Sequence, residues 1–417
     1  MQDPFEYLHG LDSVQIRLGL GPISRLLERL HNPHEAYKTI IIGGTNGKGS
    51  VAAMAASILN EGGFNVGLYT SPHLTDIRER IRVRNRMISH EEMASCIEDV
   101  RNAVVEDVSY FEFLTAVAFV HFRNVRVDVA VLEVGMGGRL DATNVVRPLV
   151  SVISNISLDH RSYLGNSLHA IAREKGGIIA QQGICVTAAK QRKVIDVLEE
   201  ICLKREATLV RLGRELKVRI RRNGTFDYRG SGKCYKGLSS PLKGRHQMEN
   251  AALAITAIEC VRTHGIEIDD DAIVTGMRNT RWEGRMEILQ HEPIVLIDGA
   301  HNPAGMTVLG RTLRKEFTYT RLVVVFGVLR DKDYGSMLRK IAPLTDILII
   351  TRPRTERAMP PEKIMPVALK YHRGTVEVAE DSIKALKRAL SLAKANDLVC
   401  ATGSLYLVGE IKRAYSS

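Results

Sequence analysis

Apolar runs rich in β-branched residues alternate with helix-compatible stretches through the first half of the chain, at residues 39–42, 127–134 and 149–156. That alternation predicts a mainly parallel sheet covered by helices. Each run ends in polar or glycine-rich sequence, on the side where open α/β sheets place their ligands. From residue 209 to 242 the texture changes to alternation around Asn223-Gly224, a pair that favours a tight hairpin turn because both positions tolerate φ > 0. A small antiparallel excursion is expected there. Helical periodicity returns over 247–261, and a new series of strand-like segments follows at 294–297, 322–326, 347–351, 376–379 and 398–401, separated by helical stretches such as 382–395. The chain thus reads as α/β throughout, with a larger first domain over 1–289 and a smaller, Rossmann-like second domain over 290–417.

Composition agrees with two domains, because 417 residues with 45% hydrophobic content exceed what one core usually organises. There is no apolar run of about eighteen residues or more, and the first residues, Met1-Gln2-Asp3-Pro4-Phe5-Glu6, lack the pattern of a signal peptide. A cytoplasmic protein with no membrane partner is expected. The six cysteines are scattered without zinc-ligand spacing and read as reduced and structural. A net charge of +11 fits either nucleic-acid binding or a pocket that collects several anions. Much of the excess lies in clusters such as residues 217–222, Lys-Val-Arg-Ile-Arg-Arg, whose alternation resembles the wet face of a strand. With 5% aromatic residues and no recognisable nucleic-acid motif, no nucleic-acid partner is expected.

The chemistry concentrates at strand ends. Gly44-Thr45-Asn46-Gly47-Lys48-Gly49-Ser50 lies between a strand and a helix-compatible segment, the setting of a phosphate cradle. Glycines let backbone N–H groups approach phosphates, Lys48 can reach the terminal phosphoryl oxygens, and the Ser50 hydroxyl could meet Mg²⁺. The match to G-x-x-x-x-G-K-[ST] is imperfect, since Gly49 separates Lys48 from Ser50. Glu133 ends the next strand, either facing a metal or serving as a surface-turn glutamate or a structural ion-pair partner. A second glycine-rich turn, 135–144, follows it, and His160 ends the strand after that, as a metal ligand or an ordinary histidine. Lys175 reads equally as a phosphate-binding cation or a surface lysine.

Seven motifs occur in order: GTNGKGS at 44–50, SPHL at 71–74, FEFLTAVAF at 111–119, EVGMGGRLDATN at 133–144, LDH at 158–160, EKGG at 174–177 and DGAHNP at 298–303. Together they resemble the folylpolyglutamate synthase/dihydrofolate synthase family of the Mur ligase superfamily, over nearly the whole chain. Gly49, which spoils the general phosphate-loop pattern, is what that family shows. The resemblance implies an N-terminal P-loop ATPase domain, binding ATP and folate, followed by a smaller Rossmann-like glutamate ligase domain. It places ATP phosphates on Thr45, Asn46, Gly47, Lys48, Gly49 and Ser50, and Mg²⁺ on Ser71, Glu133 and His160. Asn250, Arg285 and Asp298 match ATP-contacting positions across the cleft, with His301 beside them as a catalytic group. Tyr110, Phe111, Glu112, Leu140, Asp141 and Ala142 match the pterin side, with Gly10 and Leu11 a weaker match. Lys175 matches a lysine that the family carbamylates. Gly43 and Gly176 stand where alanine is usual; neither change removes a chemical group.

By the same resemblance, a carboxylate of a reduced folate or of dihydropteroate takes the γ-phosphoryl group of ATP, and the amine of L-glutamate displaces phosphate from the acyl phosphate. Lys48, His160, Lys175 and His301 are the expected catalytic residues. Domain closure would complete the site, and the protein would be a monomer. Narrower alternatives are a folylpolyglutamate synthase that does not use dihydropteroate, or another Mur-type amino-acid ligase.

Overall fold

A computed structural model describes residues 3–11, 18–230 and 232–416. They divide into two compact units, one of residues up to 72 with 78–241 and 247–281, the other of 73–77, 242–246 and 282 onward. The first unit holds a sheet built from β1 (Lys38–Gly43), β2 (Val66–Tyr69), β3 (Ile81–Val83), β4 (Arg86–Met87), β5 (Val129–Glu133), β6 (Val150–Ile153), β7 (Ile184–Thr187) and β8 (Thr208–Arg211). The order is β4-β3-β2-β5-β1-β6-β7-β8. Strands β2, β5, β1, β6, β7 and β8 are parallel, and β3 and β4 add an antiparallel hairpin at one edge.

Strand β1 is central because Ile40, Ile41 and Ile42 are all fully buried. A parallel strand covered on both faces is apolar continuously rather than alternately, which is why these runs were conspicuous in the sequence. The run 149–156 is longer than its strand: β6 stops at Ile153, and Ser154 and Asn155 leave the sheet. A second sheet, β11-β10-β9, is antiparallel, formed by β9 (Lys217–Ile220), β10 (Phe226–Arg229) and β11 (Cys234–Leu238). It begins later than residue 209, because β8 joins the main sheet. Asn223-Gly224 makes the turn, with Gly224 at φ +81°, and the charged residues of β9 alternate outward as a solvated face.

The second unit carries the sheet β12-β13-β17-β14-β15-β16, formed by β12 (Glu287–His291), β13 (Ile294–Asp298), β14 (Leu322–Phe326), β15 (Ile347–Ile350), β16 (Thr375–Val378) and β17 (Leu398–Thr402). All pairings are parallel except that of β12 with β13. The boundary drawn at residue 289 falls inside β12, which is an edge of this sheet, so the division comes earlier in the chain. None of the described helices is long and apolar enough to cross a membrane.

The helix Lys48–Glu61 is buried on every side from Gly49 to Leu59, which demands close neighbours all round. One is the helix Asp270–Asn279, where Gly276 permits contact: a Cβ there would stand 2.5 Å from Ile58 Cα. The Gly276 carbonyl also accepts the Ser57 hydroxyl at 2.8 Å. Replacing Gly276 with Val should therefore destabilise the first unit by about 1–3 kcal/mol, seen as a lower urea midpoint. An unchanged midpoint would contradict the close packing of these two helices.

Candidate active site

The glycine-rich loop leaves the buried end of β1 and enters the helix Lys48–Glu61 through Gly47, which has φ +86° and provides no side-chain cap. The first N–H groups of a helix have no partner within it, so this end presents donors and a partial positive charge. The rest of the loop is held from behind by residues that follow β6. Asn155 accepts from the Asn46 N–H at 3.1 Å through Oδ1 and donates to the Asn46 carbonyl at 2.8 Å through Nδ2. Its own carbonyl accepts from Thr45 N–H at 2.8 Å. The Ser154 hydroxyl donates to the Asn46 carbonyl at 2.7 Å, and the Ser157 N–H donates to Thr45 Oγ1 at 3.0 Å.

This bracing explains two glycines. A Cβ on Gly44 would lie 2.0 Å from Ser154 Oγ, and one on Gly47 would lie 2.6 Å from Asn250 Oδ1. Asn250 thus belongs to the first unit, directly against the loop. Gln247, one turn earlier, accepts from Asn250 Nδ2 at 2.9 Å and fixes its amide. None of Ser154, Asn155, Ser157 and Gln247 stood out in the sequence. For Ser154, Asn155 and Ser157 a polar position just past a strand end was the only signal, and Gln247 lies within the helix Arg245–Arg262.

Lys48 is half-buried and its ammonium donates to the Thr45 carbonyl at 3.4 Å, so it folds back over the loop. The Ser50 hydroxyl is buried and has no hydrogen-bond partner. A buried hydroxyl without a partner is costly, and its oxygen suits a hard cation. Among the described residues, no cluster of three or more His, Cys, Asp and Glu side chains forms. A cation here would draw on hydroxyls as well as on Glu133.

Glu133 ends β5 next to β1, paired in register with Ile42. It is buried, and its Oε2 accepts the Ser71 N–H at 3.1 Å, bringing two of the expected metal-site residues together. His160 stands at φ +49° with its N–H on Asp159 Oδ1 at 2.9 Å. Lys175 is no surface lysine. It is 5% exposed, and its ammonium donates to the Gly44 carbonyl at 2.8 Å, joining the helix Leu168–Gly176 to the start of the loop.

The turn 135–144 is locked to that helix. Arg139 N–H donates to the Glu174 carbonyl at 2.8 Å, and its guanidinium pairs with the Glu174 carboxylate at 2.9 Å. Asn144 Nδ2 donates to the carbonyls of Arg139 and Gly177. The glycine at position 176 also has a local reason: a Cβ would lie 2.5 Å from Ile201 Cδ1, so Ile201 occupies the space an alanine methyl would need.

Two carboxylates expected on the pterin side are committed elsewhere. Glu112 closes a capping box with Ser109 at the start of the helix Tyr110–Asn124, its Oε2 accepting the Ser109 N–H at 2.8 Å and hydroxyl at 2.6 Å. The spacing Ser109-x-x-Glu112 was the sequence signature of that box. Asp141 accepts from Met136 N–H at 2.8 Å, Thr143 N–H at 3.1 Å and the Thr143 hydroxyl at 2.6 Å. Burial pushes its carboxyl up from the ordinary value, against the pull of those donors. Asp141 therefore shapes the turn that carries Leu140 and Ala142. Phe111 lies over the same turn, its ring 2.6 Å from where a Gly135 Cβ would stand. Gly10 ends the helix Pro4–Gly10, with Leu11 as its C-cap.

In the second unit, Asp298 ends β13 and accepts the N–H groups of Met286 and Ala300, each at 3.0 Å. Burial pushes its carboxyl up, while the Arg285 guanidinium and the two N–H groups pull the other way. A Cβ on Gly299 would stand 2.2 Å from Arg285 Nη1 and 2.4 Å from Leu405 Cδ2, so both side chains would have to shift to admit one. His301 Nδ1 lies 2.8 Å from the Gly299 carbonyl. A carbonyl can only accept, so Nδ1 carries a proton and donates it to Gly299. Asn302 then caps the helix Pro303–Glu316 through Gly305 N–H.

Residues 42–258 match the Mur ligase middle domain, and residues 284–405 match the glutamate ligase domain of Mur ligases. The dihydrofolate synthase/folylpolyglutamate synthase of Bacillus subtilis is 33% identical, over 99% of this chain and 98% of its own. An E. coli FolC in complex with DHPP and ADP superposes with a TM-score of 0.92 at 28% identity, covering 99% of this chain and 96% of that one. A bifunctional folylpolyglutamate synthase/dihydrofolate synthase from Yersinia pestis, complexed with AMPPNP and Mn ion, gives 0.89 at 28% identity, with 99% and 97% covered. With that much of its length shared, the chain belongs to the Mur ligases, within the dihydrofolate synthase/folylpolyglutamate synthase family.

Proposed function

We propose that this enzyme is an ATP-dependent ligase that joins L-glutamate by an amide bond to reduced folates and to dihydropteroate. The observation that carries the reading is the braced loop 44–50, which presents a helix N-terminus, Lys48 and the unpartnered Ser50 hydroxyl at one strand end. A carboxylate is a poor acyl donor because its leaving group would be oxide, so activation is needed. A carboxylate oxygen of the folate attacks the γ-phosphorus, the bond to the bridging oxygen of ADP breaks, and an acyl phosphate forms. The glutamate amine then attacks the acyl carbon, phosphate leaves, and the amine proton passes to a base.

Phosphoryl transfer rests on positioning and charge neutralisation. The loop N–H groups hold the phosphates and Lys48 turns toward the transferring group. Ser50, Ser71 and Glu133 would hold Mg²⁺, with His160 the least suited of the set, since imidazole prefers softer metals. Bound there, Mg²⁺ offsets charge on the phosphate oxygens. Asn250 fixes the Gly47 turn, and the family pattern assigns nucleotide contacts to Arg285 and Asp298 and a catalytic role to His301. Tyr110, Phe111, Leu140 and Ala142 line the pterin side, while Glu112 and Asp141 shape it.

Lys175 is the residue proposed to carry a carbamate. Its neutral amine would add to the carbon of CO₂ and lose a proton, turning a cation into an anionic oxygen donor beside the loop. Growth of the enzyme with ¹³C-bicarbonate should give a carbamate resonance that Lys175→Ala removes, and a short carboxylic acid should partly restore activity to that variant. No resonance and no rescue would remove the carbamate from the mechanism.

With ATP, Mg²⁺ and L-glutamate, both tetrahydrofolate and dihydropteroate should yield products heavier by one glutamyl residue in mass spectra. Neither product forming would end the reading, and product from tetrahydrofolate alone would select the narrower folylpolyglutamate synthase. Lys48→Ala should lower glutamate-dependent ADP release by about 100-fold or more with an unchanged melting temperature; near-normal turnover would sink the role of the loop. Ser50→Ala should raise the Mg²⁺ concentration for half-maximal activity by roughly tenfold, and an unaltered Mg²⁺ dependence would free Ser50 from the metal.

A further inference from the structure

Glu259, in the helix Arg245–Arg262, has a carboxyl that none of the chemistry above uses. Its Oε1 is buried and has no hydrogen-bond partner among the described residues. Its Oε2 is hydrogen-bonded to the buried Tyr228 phenol of β10, which lies 2.9 Å from Thr256 Oγ1, and the Thr256 hydroxyl reaches the Ala252 carbonyl at 2.7 Å. Gly230 lies over Tyr228 and Glu259 with no room for a Cβ. Three consecutive hydrogen bonds need three hydrogens. The carbonyl supplies none and each hydroxyl supplies one, so an ionised Glu259 would leave one of these contacts without a proton. A carboxylic acid supplies the third: Glu259 donates to Tyr228, Tyr228 to Thr256, and Thr256 to the Ala252 carbonyl.

The neighbouring charges agree with that count. Asp270, at the start of the helix Asp270–Asn279, accepts from the Lys233 ammonium at 2.9 Å, the Arg262 guanidinium at 3.0 Å and the Tyr235 hydroxyl at 2.9 Å. Lys233 above all holds the Asp270 carboxyl down to about 2. Both cations near Glu259 are therefore balanced by Asp270, and the buried Arg262 Nε has no partner either, so it does not meet Glu259. Burial pushes the Glu259 carboxyl up, and Asp270 adds to the rise against Tyr228, Arg262 and Lys233. The Cys260 thiol beside it is pushed up to about 11 by burial and carries no charge. Two carboxyls in one cluster are thus driven apart, one anionic and one neutral. A buried anionic oxygen without a donor would cost far more than the carbonyl oxygen of a neutral acid.

We propose that Glu259 keeps its proton at neutral pH, and that this proton latches the sheet β11-β10-β9 to the helix that carries Gln247 and Asn250. On ionisation the phenol must donate to the carboxylate, the chain breaks at Thr256, and Oε1 is left as a buried anion. The latch is complete below the ordinary carboxylate range. It is lost as pH rises from there to the higher value of the folded state, because over that window the unfolded chain has released a proton that the folded chain still holds.

The test labels the side-chain carboxyl of glutamate with ¹³C and follows its resonances with pH. One resonance should stay at the position of a neutral acid at about pH 7, where ordinary glutamates are ionised. Glu259→Gln should remove that resonance and Tyr228→Phe should shift it, so the assignment stands even if one variant does not fold. Glutamine donates to Tyr228 as the acid does and does not titrate. Relative to Glu259→Gln, the native enzyme should therefore lose about tenfold in its urea-measured folding equilibrium for each pH unit above the ordinary carboxylate range. Hydrogen exchange in β10 and β11 should quicken over the same window in the native enzyme alone. Every glutamate titrating in the ordinary range, or parallel pH profiles for the native enzyme and Glu259→Gln, would overturn the latch.

Discussion

The candidate site depends on how closely the segment after β6 can approach the loop after β1. Asn155 meets Asn46 through both its amide groups, and Ser154 and Ser157 add their own bonds. Such contact is possible only where no Cβ intervenes, and Gly44 is the position that allows it. With the loop held from the side of β6, the N–H groups that begin the helix Lys48–Glu61, which have no partner within the helix, are directed at an anion. Lys175 extends the same arrangement, holding the Gly44 carbonyl from the helix Leu168–Gly176. Preorganisation of this kind matters for phosphoryl transfer, where charge must be met by groups already in position.

Neighbouring acidic residues in this fold do different jobs. Glu133 ends a central parallel strand beside Ser71, whereas Glu112 and Asp141 spend their oxygens on backbone donors of their own turns. The difference arises from local geometry. A carboxylate three residues after a helix cap has the cap N–H within reach, and one at a turn has several N–H groups converging on it. Glu133 follows an extended segment, and the Ser71 N–H reaches it from the neighbouring strand's exit. A buried charge is retained where donors or a cation meet it, and each of these three meets that need by a different route.

The second unit repeats the principle with other residues. Asp298 is held by two N–H groups, Gly299 leaves space for the Arg285 guanidinium, and the His301 ring is oriented by its Nδ1 bond to the Gly299 carbonyl. Here too a strand end, a glycine and a charged side chain form one construction. Its chemistry comes from the short reach between backbone and side chain immediately after β13.

Sequence alone established the two α/β units, the placement of the phosphate loop between β1 and a helix, and the family, because buried parallel strands are continuous apolar runs and the seven motifs keep their order. It also contained the capping box at Ser109 and Glu112, in a motif that resemblance had assigned to substrate. Tertiary structure decided what linear spacing cannot encode. It set Asn250 against Gly47, 203 residues earlier by residue number, put Lys175 on the Gly44 carbonyl, and gave β12 to the second sheet. It also brought Glu259 to Tyr228. Each of these is a side chain or strand meeting a partner distant in the chain, and such meetings exist only once the sheets and helices have packed.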